Sequence, residues 1–527
     1  MDDKSVPETV DTVIVGNGPS ALILSFILHG NIPYYNLSQP HPDPILHRKL
    51  SQSPCLLNAD VGDLTAHFAA SRLSYSTQAL PINVFLDTLI RPLHDTNPGK
   101  YQSCVEWRYE EDSAVSHVVL GDTLQPGGQW ADNPVSASWD IGALSYAEML
   151  SLPGFTFGDY TRKHYGKDLP DFYRPSRREV ASYFAAYPIE VGIEKAVHTN
   201  AKVGHISRGF QGFRIDSHDL NCAHLVLASG VFSNLIPPRP LLQPLSELHS
   251  PKHSTEAPLL VVGSGFTAAD VIISTPPGRK ILHIFKWDPE EHPSPLRACH
   301  AAAYPEYASI YRQMKVSAQS LLRKSSVISP LRIKKSNPFF QDRDWDHVYE
   351  GLPNTYIKHI IMKEKTAILT LETGDQRKLE REVSCMDYVI GRRGSLNYLS
   401  HEIGSEIGLV EDDIPVDLSP ISGKSLRSRV EKNFQIASNV FAIGSLTGDS
   451  LIRFAFGSCV FAAGTILQSS ISANASTEHS PSSSTGDSST APSSPMEPPA
   501  EVSDVAVCDG GHNDLHYHKH FHSLCNE

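Results

Sequence analysis

A buried strand that runs into a glycine-rich turn and then into a helix occurs twice in this 527-residue chain. The first copy joins the β-branched run 10–15 to the turn 16–21 and an apolar helix. The second copy joins a short apolar strand, 259–262, to the turn 263–268 and another helix. Both turns read Gly-x-Gly-x-x-Ala, in the context that dinucleotide binding requires. The repeat therefore predicts an α/β protein with two Rossmann-like domains.

Each small residue of such a turn has a separate role. The first glycine lets the chain turn out of the strand, the second lets a pyrophosphate approach the backbone, and the alanine lets the helix pack closely on the strand. The helix N-terminus adds free N–H groups and a partial positive charge. Two such clefts imply two dinucleotides, and the usual chemical reason is that NAD(P)H passes a hydride to a flavin. We therefore predict that the first turn binds FAD through Gly16, Asn17, Gly18, Pro19, Ser20 and Ala21, and that the second binds NADPH through Gly263, Ser264, Gly265, Phe266, Thr267 and Ala268.

The residue after the next strand of the second copy indicates which nicotinamide is bound. Lys286 follows the predicted strand 280–285, where an acidic residue would otherwise bind the ribose 2′-hydroxyl. A cation at this position suits a 2′-phosphate, which favours NADPH. The alternative is an ordinary exposed lysine.

The corresponding position of the first copy is ambiguous. The nearest strand candidate, 32–35, is followed by Asn36, which is a weaker partner for a ribose hydroxyl than a carboxylate. Alternatively, the second strand is 118–120, with Asp122 nearby, and residues 38–116 are an insertion. The sequence leaves both alternatives open.

The composition changes near the C-terminus, where residues 476–499 are rich in Ser, Pro and Thr. Such a segment cannot bury enough apolar surface to offset its ordering entropy. We predict an FAD-binding domain in two parts, an inserted NADPH-binding domain and a disordered tail that is rich in Ser, Pro and His. The predicted ranges are 1–250 and 386–471 for the two FAD-binding parts, 251–385 for the insertion, and 472–527 for the tail.

Charge and cysteine content exclude other classes. The formal net charge is −13, which argues against a nucleic-acid-binding protein. The eight cysteines include no Cys-x-x-Cys, so a dithiol redox centre at that spacing is excluded. With no signal peptide visible at the start of the chain, we expect a cytoplasmic or nuclear protein with reduced thiols. The apolar stretch 454–471 is interrupted by glycine and polar residues, and we interpret it as a buried helix rather than a membrane span.

Further motifs carry a family resemblance. The segment Gly127, Gly128, Gln129 and Trp130 resembles the Gly-Gly-x-Trp of two-dinucleotide flavin monooxygenases, and Gly448-Asp449 resembles their late Gly-Asp. The match is closer to the oxidative stress-induced growth inhibitor family, through segments at 15–20, 117–121, 126–130, 304–307 and 448–454. The resemblance implies that the flavin lies beside Gly128, Gln129 and Trp130 and that Asp449 holds its ribityl chain. Gly444 ends the predicted strand 440–444, and this pattern places it at the edge of the nucleotide cleft.

The same resemblance implies an FAD-dependent, NADPH-using monooxygenase that forms a peroxyflavin and is linked to growth control, cell death and late cytokinesis. It also adds the nucleus and the midbody to the expected locations. The Phe-x-Gly-x-x-x-His fingerprint of better-known monooxygenases is absent. The alternatives are an NADPH reductase without oxygen insertion and a regulatory protein that has lost turnover. We assign no catalytic residue and no metal, expect a small-molecule substrate of unknown identity, and leave the tail as a candidate for protein contacts.

Overall fold

The computed structural model describes residues 6–60, 62–64, 79–92, 102–135, 137–210, 212–248, 257–322, 339, 342–409, 420–431 and 434–478. The helices are α1 Pro19–Leu28, α2 Pro44–Gln52, α3 Pro81–Ile90, α4 Ala147–Leu150, α5 Phe157–Tyr165, α6 Arg177–Glu190, α7 Phe266–Ser274, α8 Pro305–Leu322, α9 Trp345–Val348, α10 His401–Glu406, α11 Arg427–Val430 and α12 Phe456–Glu478. The strands are β1 Thr9–Val15, β2 Asn31–Tyr35, β3 Val105–Tyr109, β4 His117–Leu120, β5 Val197–His198, β6 Ile206–Gly209, β7 Gly212–Ile215, β8 Leu220–Leu227, β9 Asn234–Leu235, β10 Leu259–Val262, β11 Ile281–Phe285, β12 Tyr349–Pro353, β13 Tyr356–Met362, β14 Ala367–Glu372, β15 Lys378–Val383, β16 Cys385–Tyr388, β17 Arg392–Arg393, β18 Gln435–Ala437 and β19 Val440–Ala442.

The first sheet has eight strands, in the order β18-β19-β8-β1-β4-β5, with the β6–β7 hairpin beside β8. Strand β1 lies parallel to both β4 and β8, and β19 lies parallel to β8. The apolar run of β1 is buried on both faces, as its composition predicts. The carboxyl ends of these four strands therefore meet at one edge of the sheet, which is where open α/β sheets bind ligands.

The second sheet has four parallel strands, in the order β12-β11-β10-β16. Strand β10, the strand of the second glycine turn, is flanked by β11 and β16. A separate antiparallel sheet, β13-β14-β15, follows β12 in the chain. The chain thus forms an α/β fold in which both predicted glycine turns leave a central strand of a parallel sheet.

The structure separates the two candidates for the second strand of the first sheet. Strand β4 pairs with β1, whereas β2 pairs antiparallel with β3 in a small sheet of its own. The prediction that 32–35 forms a strand is correct, but this strand does not extend the first sheet. Asp122, and not Asn36, therefore follows the strand beside β1.

The chain leaves the first sheet after β8 and returns to it at β18 and β19, with the second sheet in between. One predicted boundary needs correction. The division between 385 and 386 cuts β16, whose register with β10 runs from Cys385 to Tyr388. The crossing between the sheets lies further on, where β17 pairs with β9. The other predicted boundaries stay predictions.

Helix α12 is the long apolar helix that the sequence predicted to be buried. By length and composition alone, the window Ile452–Ser470 could cross a membrane, with 19 residues and a mean hydropathy of 1.2, but 78% of it is buried inside the protein. It packs on α1 and α3 in the core of the first sheet. The helix continues to Glu478, so the predicted tail begins too early at 472; its part from 479 onward lies outside the described residues.

Candidate functional site

The first glycine turn has the backbone that its sequence predicts. Gly16 has a φ of +111°, and a Cβ there would lie 2.5 Å from the carbonyl oxygen of Ala228. A Cβ on Gly18 would meet nothing within 4 Å. Gly18 is the N-cap of α1, no side chain caps this helix, and Pro19 begins it. The first-turn N–H groups of α1 therefore have no side-chain partner and border open space.

Asn17 connects this turn to the loop that follows β4. Its side chain is buried, and its Oδ1 accepts a hydrogen bond of 3.0 Å from the hydroxyl of Thr123. A Cβ on Gly121 would lie 2.1 Å from the Asn17 side chain, so only glycine fits there. The Asn17 carbonyl accepts a bond from the Gly127 N–H. Asn17 thus holds the loop 121–127 against the turn and is not free to bind a ligand through its amide.

The Gly-Gly-Gln-Trp segment lies directly on the turn. Gly127 and Gly128 both have positive φ angles, and a Cβ on Gly128 would lie 3.1 Å from the Cα of Gly18. The Trp130 ring packs edge-on against Phe184, with ring centroids 6.2 Å apart. The structure therefore brings the first turn and the predicted flavin-side segment together.

Gly444 reaches the same turn from the far end of the chain. It follows β19 with a φ of +66°, and a Cβ on it would lie 2.4 Å from the Ser20 hydroxyl. The Cys459 thiol of α12 donates to the Ser20 carbonyl at 3.3 Å. Ala21 is fully buried, as close helix packing requires.

Asp449 is buried near this edge, and its carboxylate is heavily used by the protein itself. Its Oδ2 accepts from the Leu80 N–H at 2.8 Å and from the Asn83 amide at 2.7 Å. Its Oδ1 accepts from Arg427 at 2.8 Å. Since a carboxylate has about four acceptor sites, little capacity is left for a ribityl hydroxyl. The assignment of Asp449 to the flavin stays a prediction.

The second turn repeats the geometry of the first. Gly263 has a φ of +152°, and a Cβ there would lie 2.4 Å from the Val389 carbonyl oxygen, whereas a Cβ on Gly265 would meet nothing within 4 Å. Gly265 is the uncapped N-cap of α7, which begins at Phe266. The Ser264 carbonyl accepts a bond of 2.6 Å from the Ser294 hydroxyl. Ala268 is buried, and Thr267 lies in the first turn of the helix.

Beneath the second turn, the buried His283 holds the Gly263 carbonyl through Nε2 at 2.7 Å and the Tyr349 hydroxyl through Nδ1 at 2.8 Å. Burial lowers the pKa of His283 to about 4. The histidine is therefore neutral at physiological pH and supports the turn.

Lys286 immediately follows β11, at the same sheet edge as Gly263, and it is exposed. Within the described residues, no carboxylate forms an ion pair with it. The neighbouring Asp288 is occupied by the Glu291 N–H and by His292, at 3.1 and 2.9 Å. The ammonium of Lys286 is thus available to an anion.

Asn36 and Asp122 differ in what they contact. The Asn36 Oδ1 accepts from the N–H and the hydroxyl of Ser38, which makes it part of a local turn. Asp122 is exposed and follows β4, next to the Gly121 that Asn17 packs against. Its place beside the first turn favours Asp122 as the ribose partner.

A side chain that the sequence did not single out, Arg392, contacts the Gly-Gly-Gln-Trp segment. Arg392, in β17, donates from Nη1 to the Oε1 of Gln129 at 3.0 Å. Asp270, in the second turn of α7, accepts a bond of 2.8 Å from the Tyr307 hydroxyl. Burial raises the pKa of Asp270 to about 6, against the attraction of Arg392 and Arg177. This group of charges lies between the two predicted cofactor sites and will be called the junction.

The segment 304–307, one of those that carry the family resemblance, contains the start of α8 at Pro305. Its side chains face the junction region. The Tyr304 hydroxyl donates to the Leu144 carbonyl at 2.9 Å, and Glu306 pairs with Arg174 at 2.7 Å. The Tyr307 hydroxyl donates to Asp270 of α7. The segment therefore holds both α7 and the loop near residue 144. From the sequence, this segment stood out only through the family resemblance.

Comparison with known proteins gives relatives over most of the chain, although no family model matches it. The chain is 27% identical over 506 residues to oxidative stress-induced growth inhibitor 1 of Mus musculus, across 88% of this chain and 96% of the relative. Oxidative stress-induced growth inhibitor 2 of Homo sapiens is 24% identical over 517 residues, across 87% and 92%. Among solved structures, a flavin-containing monooxygenase from Stenotrophomonas maltophilia is 14% identical with a TM-score of 0.44, over 88% of this chain and 99% of the other. The bacillithiol disulfide reductase of Bacillus cereus is 12% identical with a TM-score of 0.46, over the same shares.

Proposed function

We propose that this chain, a relative of the oxidative stress-induced growth inhibitors across 88% of its length, is an FAD-dependent, NADPH-using oxidoreductase of the monooxygenase type. The observation that carries the proposal is the pair of open glycine positions. Gly18 and Gly265 each begin an uncapped helix at the carboxyl edge of a parallel sheet, and each leaves space where a side chain would stand. The growth-inhibitor name of the relatives supports a role in growth regulation.

The residues of the first site fit an FAD molecule. Open space in front of Gly18 and free first-turn N–H groups suit a pyrophosphate, and the loop that Asn17 holds closes the site on one side. Gly128, Gln129 and Trp130 would lie beside the ring, and Gly444 would border the cleft. A flavin held by these residues would supply the chemistry of hydride acceptance from NADPH and electron transfer to dioxygen.

The second site fits the NADPH phosphates for the same reasons. Gly265 leaves room for the pyrophosphate, the start of α7 offers N–H groups, and Lys286 supplies a charge for the 2′-phosphate. The apolar contact of Trp130 with Phe184 would exclude water from the flavin side. No protein nucleophile is needed for this chemistry.

A reductase without oxygen insertion is the second candidate. Its disulfide-reducing form is disfavoured by the thiols: Cys104, Cys222, Cys299 and Cys459 are buried, and burial raises the pKa of each. A reactive thiol needs the opposite shift. The measurement described next distinguishes the proposed monooxygenase from a general reductase and from an inactive regulatory flavoprotein.

The test is the absorbance spectrum of the purified protein, followed by anaerobic mixing with NADPH and then by admission of ¹⁸O₂. We expect a flavin spectrum, bleaching by NADPH, and one labelled oxygen atom in a product when the substrate pool of a cell extract is supplied. Bleaching without incorporation indicates a reductase. Bound flavin that NADPH does not bleach indicates a regulatory protein, and a colourless protein that takes up no FAD contradicts the proposal.

Reciprocal glycine substitutions test the assignment of each turn. A side chain at position 18 or 265 would occupy the space needed by a pyrophosphate. We expect Gly18→Val to lose FAD, and Gly265→Val to keep FAD but to weaken NADP⁺ binding at least tenfold. Flavin content and calorimetric titration with NADP⁺ measure both effects. Gly278→Val, at an exposed turn with equal free space, is the control that should change neither; full flavin content in a folded Gly18→Val would refute the first assignment.

Lys286 tests the choice of nicotinamide. Lys286→Ala should weaken NADPH binding about tenfold and NADH binding little, because only NADPH carries the 2′-phosphate; a lost charge-assisted contact is worth roughly 1.5 kcal/mol. Lys280→Ala, at the opposite end of the same strand, is the matched control. If Lys286→Ala weakened NADPH and NADH binding equally, Lys286 would not bind the 2′-phosphate.

A further inference from the structure

Arg177 is a buried arginine without an acceptor. It is the first residue of α6, and only 9% of its surface is exposed. Its guanidinium stacks on the Trp139 ring at 4.0 Å, and its Nε is buried without a hydrogen-bond partner. Within the described residues, no carboxylate forms an ion pair with it. Because an unpaired buried charge is costly, such a group calls for an explanation in terms of a ligand.

Arg392 presents a second guanidinium in the same region. It belongs to β17, where the chain crosses back from the second sheet, and its hydrogen bond to Gln129 is with a neutral amide. Among the described residues, it too has no ion-pair partner. Burial lowers the pKa of Arg392, and repulsion from Arg177 adds to the effect. The two cations are therefore close enough to repel each other.

Asp270 is an acidic group that acts electrostatically on both cations, and it forms an ion pair with neither among the described residues. Its carboxylate is bonded to the Tyr307 hydroxyl, and its pKa is raised to about 6 by burial. The exposed Asp132 also acts on Arg177 through space. Neither carboxylate forms an ion pair with either arginine among the described residues. The junction thus holds two arginines without an ion-pair partner in a mostly buried place.

The contacts of Arg392 and the position of Asp270 place the two arginines near both glycine turns. Arg392 contacts Gln129, whose neighbour Gly128 lies against Gly18. Asp270 lies one helical turn beyond Gly265 on α7.

We propose that Arg177 and Arg392 form an oxyanion-binding site at the junction of the two cofactor clefts, which takes a carboxylate or phosphate group. The location between two cofactors rests on the proposed function. Guanidinium groups bind such groups through two parallel hydrogen bonds. The oxyanion has two sources, a phosphate of the nicotinamide nucleotide or the carboxylate of an acidic substrate.

The test is calorimetric titration of the purified full-length protein with three probes: benzoate, inorganic phosphate and NADP⁺. Benzamide serves as the neutral analogue of benzoate. The variants are Arg177→Gln and Arg392→Gln, together with Arg177→Lys, which keeps the charge should the Gln variant fold poorly. Arg178→Gln is the matched control, since Arg178 is adjacent to Arg177 but exposed, paired with Asp140.

We expect both Gln variants to weaken binding of at least one anionic probe tenfold or more, while Arg178→Gln and the benzamide titration show no change. Loss of benzoate or phosphate binding with NADP⁺ binding intact identifies an acidic substrate as the source. Loss of NADP⁺ binding, with competition by phosphate, identifies the nucleotide. If no anionic probe binds the Gln variants less tightly than the wild type, the proposal is overturned. Flavin content is measured on the same preparations, so a colourless protein would refute the redox function while the titrations still report on the arginine pair.

Discussion

Asn17 decides which loop closes the first turn. Its amide occupies the space in front of Gly121 and bonds to Thr123, so the segment after β4 lies against the glycines. From the sequence, Asn17 was simply the variable residue of a glycine motif. The roles of the two glycines and the alanine of the motif were predictable, because they depend on local backbone geometry. The role of Asn17 depends on a loop more than 100 residues away in the sequence.

The hydrogen-bond partners of Asp449 could not be predicted from the Gly-Asp motif that contains it. The resemblance marked this carboxylate as a ligand of the flavin, but Leu80, Asn83 and Arg427 all donate to it. None of these partners is near Asp449 in sequence, so no spacing rule could have found them. The carboxylate ties α3 and α11 to the loop after β19.

Asp270 gives a prediction about pH. A rise of its pKa from 3.8 to about 6 means that the folded state binds the proton more tightly than the unfolded chain. This stabilisation is complete below the unfolded pKa and is lost as the pH rises through the folded pKa, and it amounts to at most about 3 kcal/mol. Asp270→Asn should therefore gain stability relative to the wild type, by roughly 1 kcal/mol, between pH 5 and pH 7.5.

Urea unfolding of the wild type and of Asp270→Asn at pH 5 and pH 7.5 measures this difference in the free energy of unfolding. Comparing the variant with the wild type removes the opposite contributions of His117 and His283, whose lowered pKa values make the protein less stable as the pH falls. A difference for Asp270→Asn that stays constant with pH would mean that its pKa is not raised.

Among the elements, α12 was predicted well because its apolar composition extends over many residues. What the sequence did not predict is how closely this helix approaches its neighbours. A Cβ on Gly464 would lie 2.6 Å from the Leu57 carbonyl oxygen, which belongs to a short 3₁₀ turn at Leu56–Asn58. The glycine is needed for packing, although it lowers the intrinsic helix propensity.

Gly464→Ala should therefore destabilise the protein by about 1 to 3 kcal/mol, because the two backbones must separate. The opposite sign is expected for Gly158→Ala in α5, where the nearest atom to an added Cβ is the Thr156 hydroxyl oxygen at 3.6 Å. There the gain in helix propensity should stabilise the protein by up to about 1 kcal/mol. Thermal and urea unfolding measure both; stabilisation by Gly464→Ala would show that α12 has room to shift.

Strand β2 was predicted as a strand, but the sequence left open whether it or 118–120 lies beside β1. Its residues form a strand, as the β-branched and aromatic composition indicated, but the partner is β3 and not β1. Local composition determines whether a segment becomes a strand, and the choice of partner depends on which segment fills the space beside β1. The predicted boundary at 385 failed for the same reason, since only pairing with β10 assigns β16 to its sheet.

In the whole molecule, the two sheets are each complete in themselves and are joined at the β9–β17 pair and at the junction. This arrangement predicts separate responses to the two cofactors in hydrogen exchange. FAD should slow exchange at the first turn, at the loop 121–128 and near Gly444, and NADP⁺ should slow it at 263–266 and at 389–391. The pair β9–β17 should respond to both.

The measurement is hydrogen–deuterium exchange by mass spectrometry on the flavin-free protein, with each nucleotide added in turn. Protection by NADP⁺ that spreads through the first sheet and leaves 263–266 unchanged would contradict the assignment. The strand β14, in the antiparallel sheet, is the internal control that should respond to neither nucleotide.

The closing of the first turn by Gly444 has a consequence for biosynthesis. Gly16 leaves the ribosome more than four hundred residues before Gly444, which follows β19. At roughly 5 to 20 residues per second, translation must run for about 20 to 90 s before the strand that flanks β8 can dock. The second sheet, whose last strand ends at Tyr388, can be finished before that moment. The part of the cleft that is translated first is therefore completed last, and a nascent or prematurely terminated chain exposes the edge of β8 until its own C-terminal strand arrives.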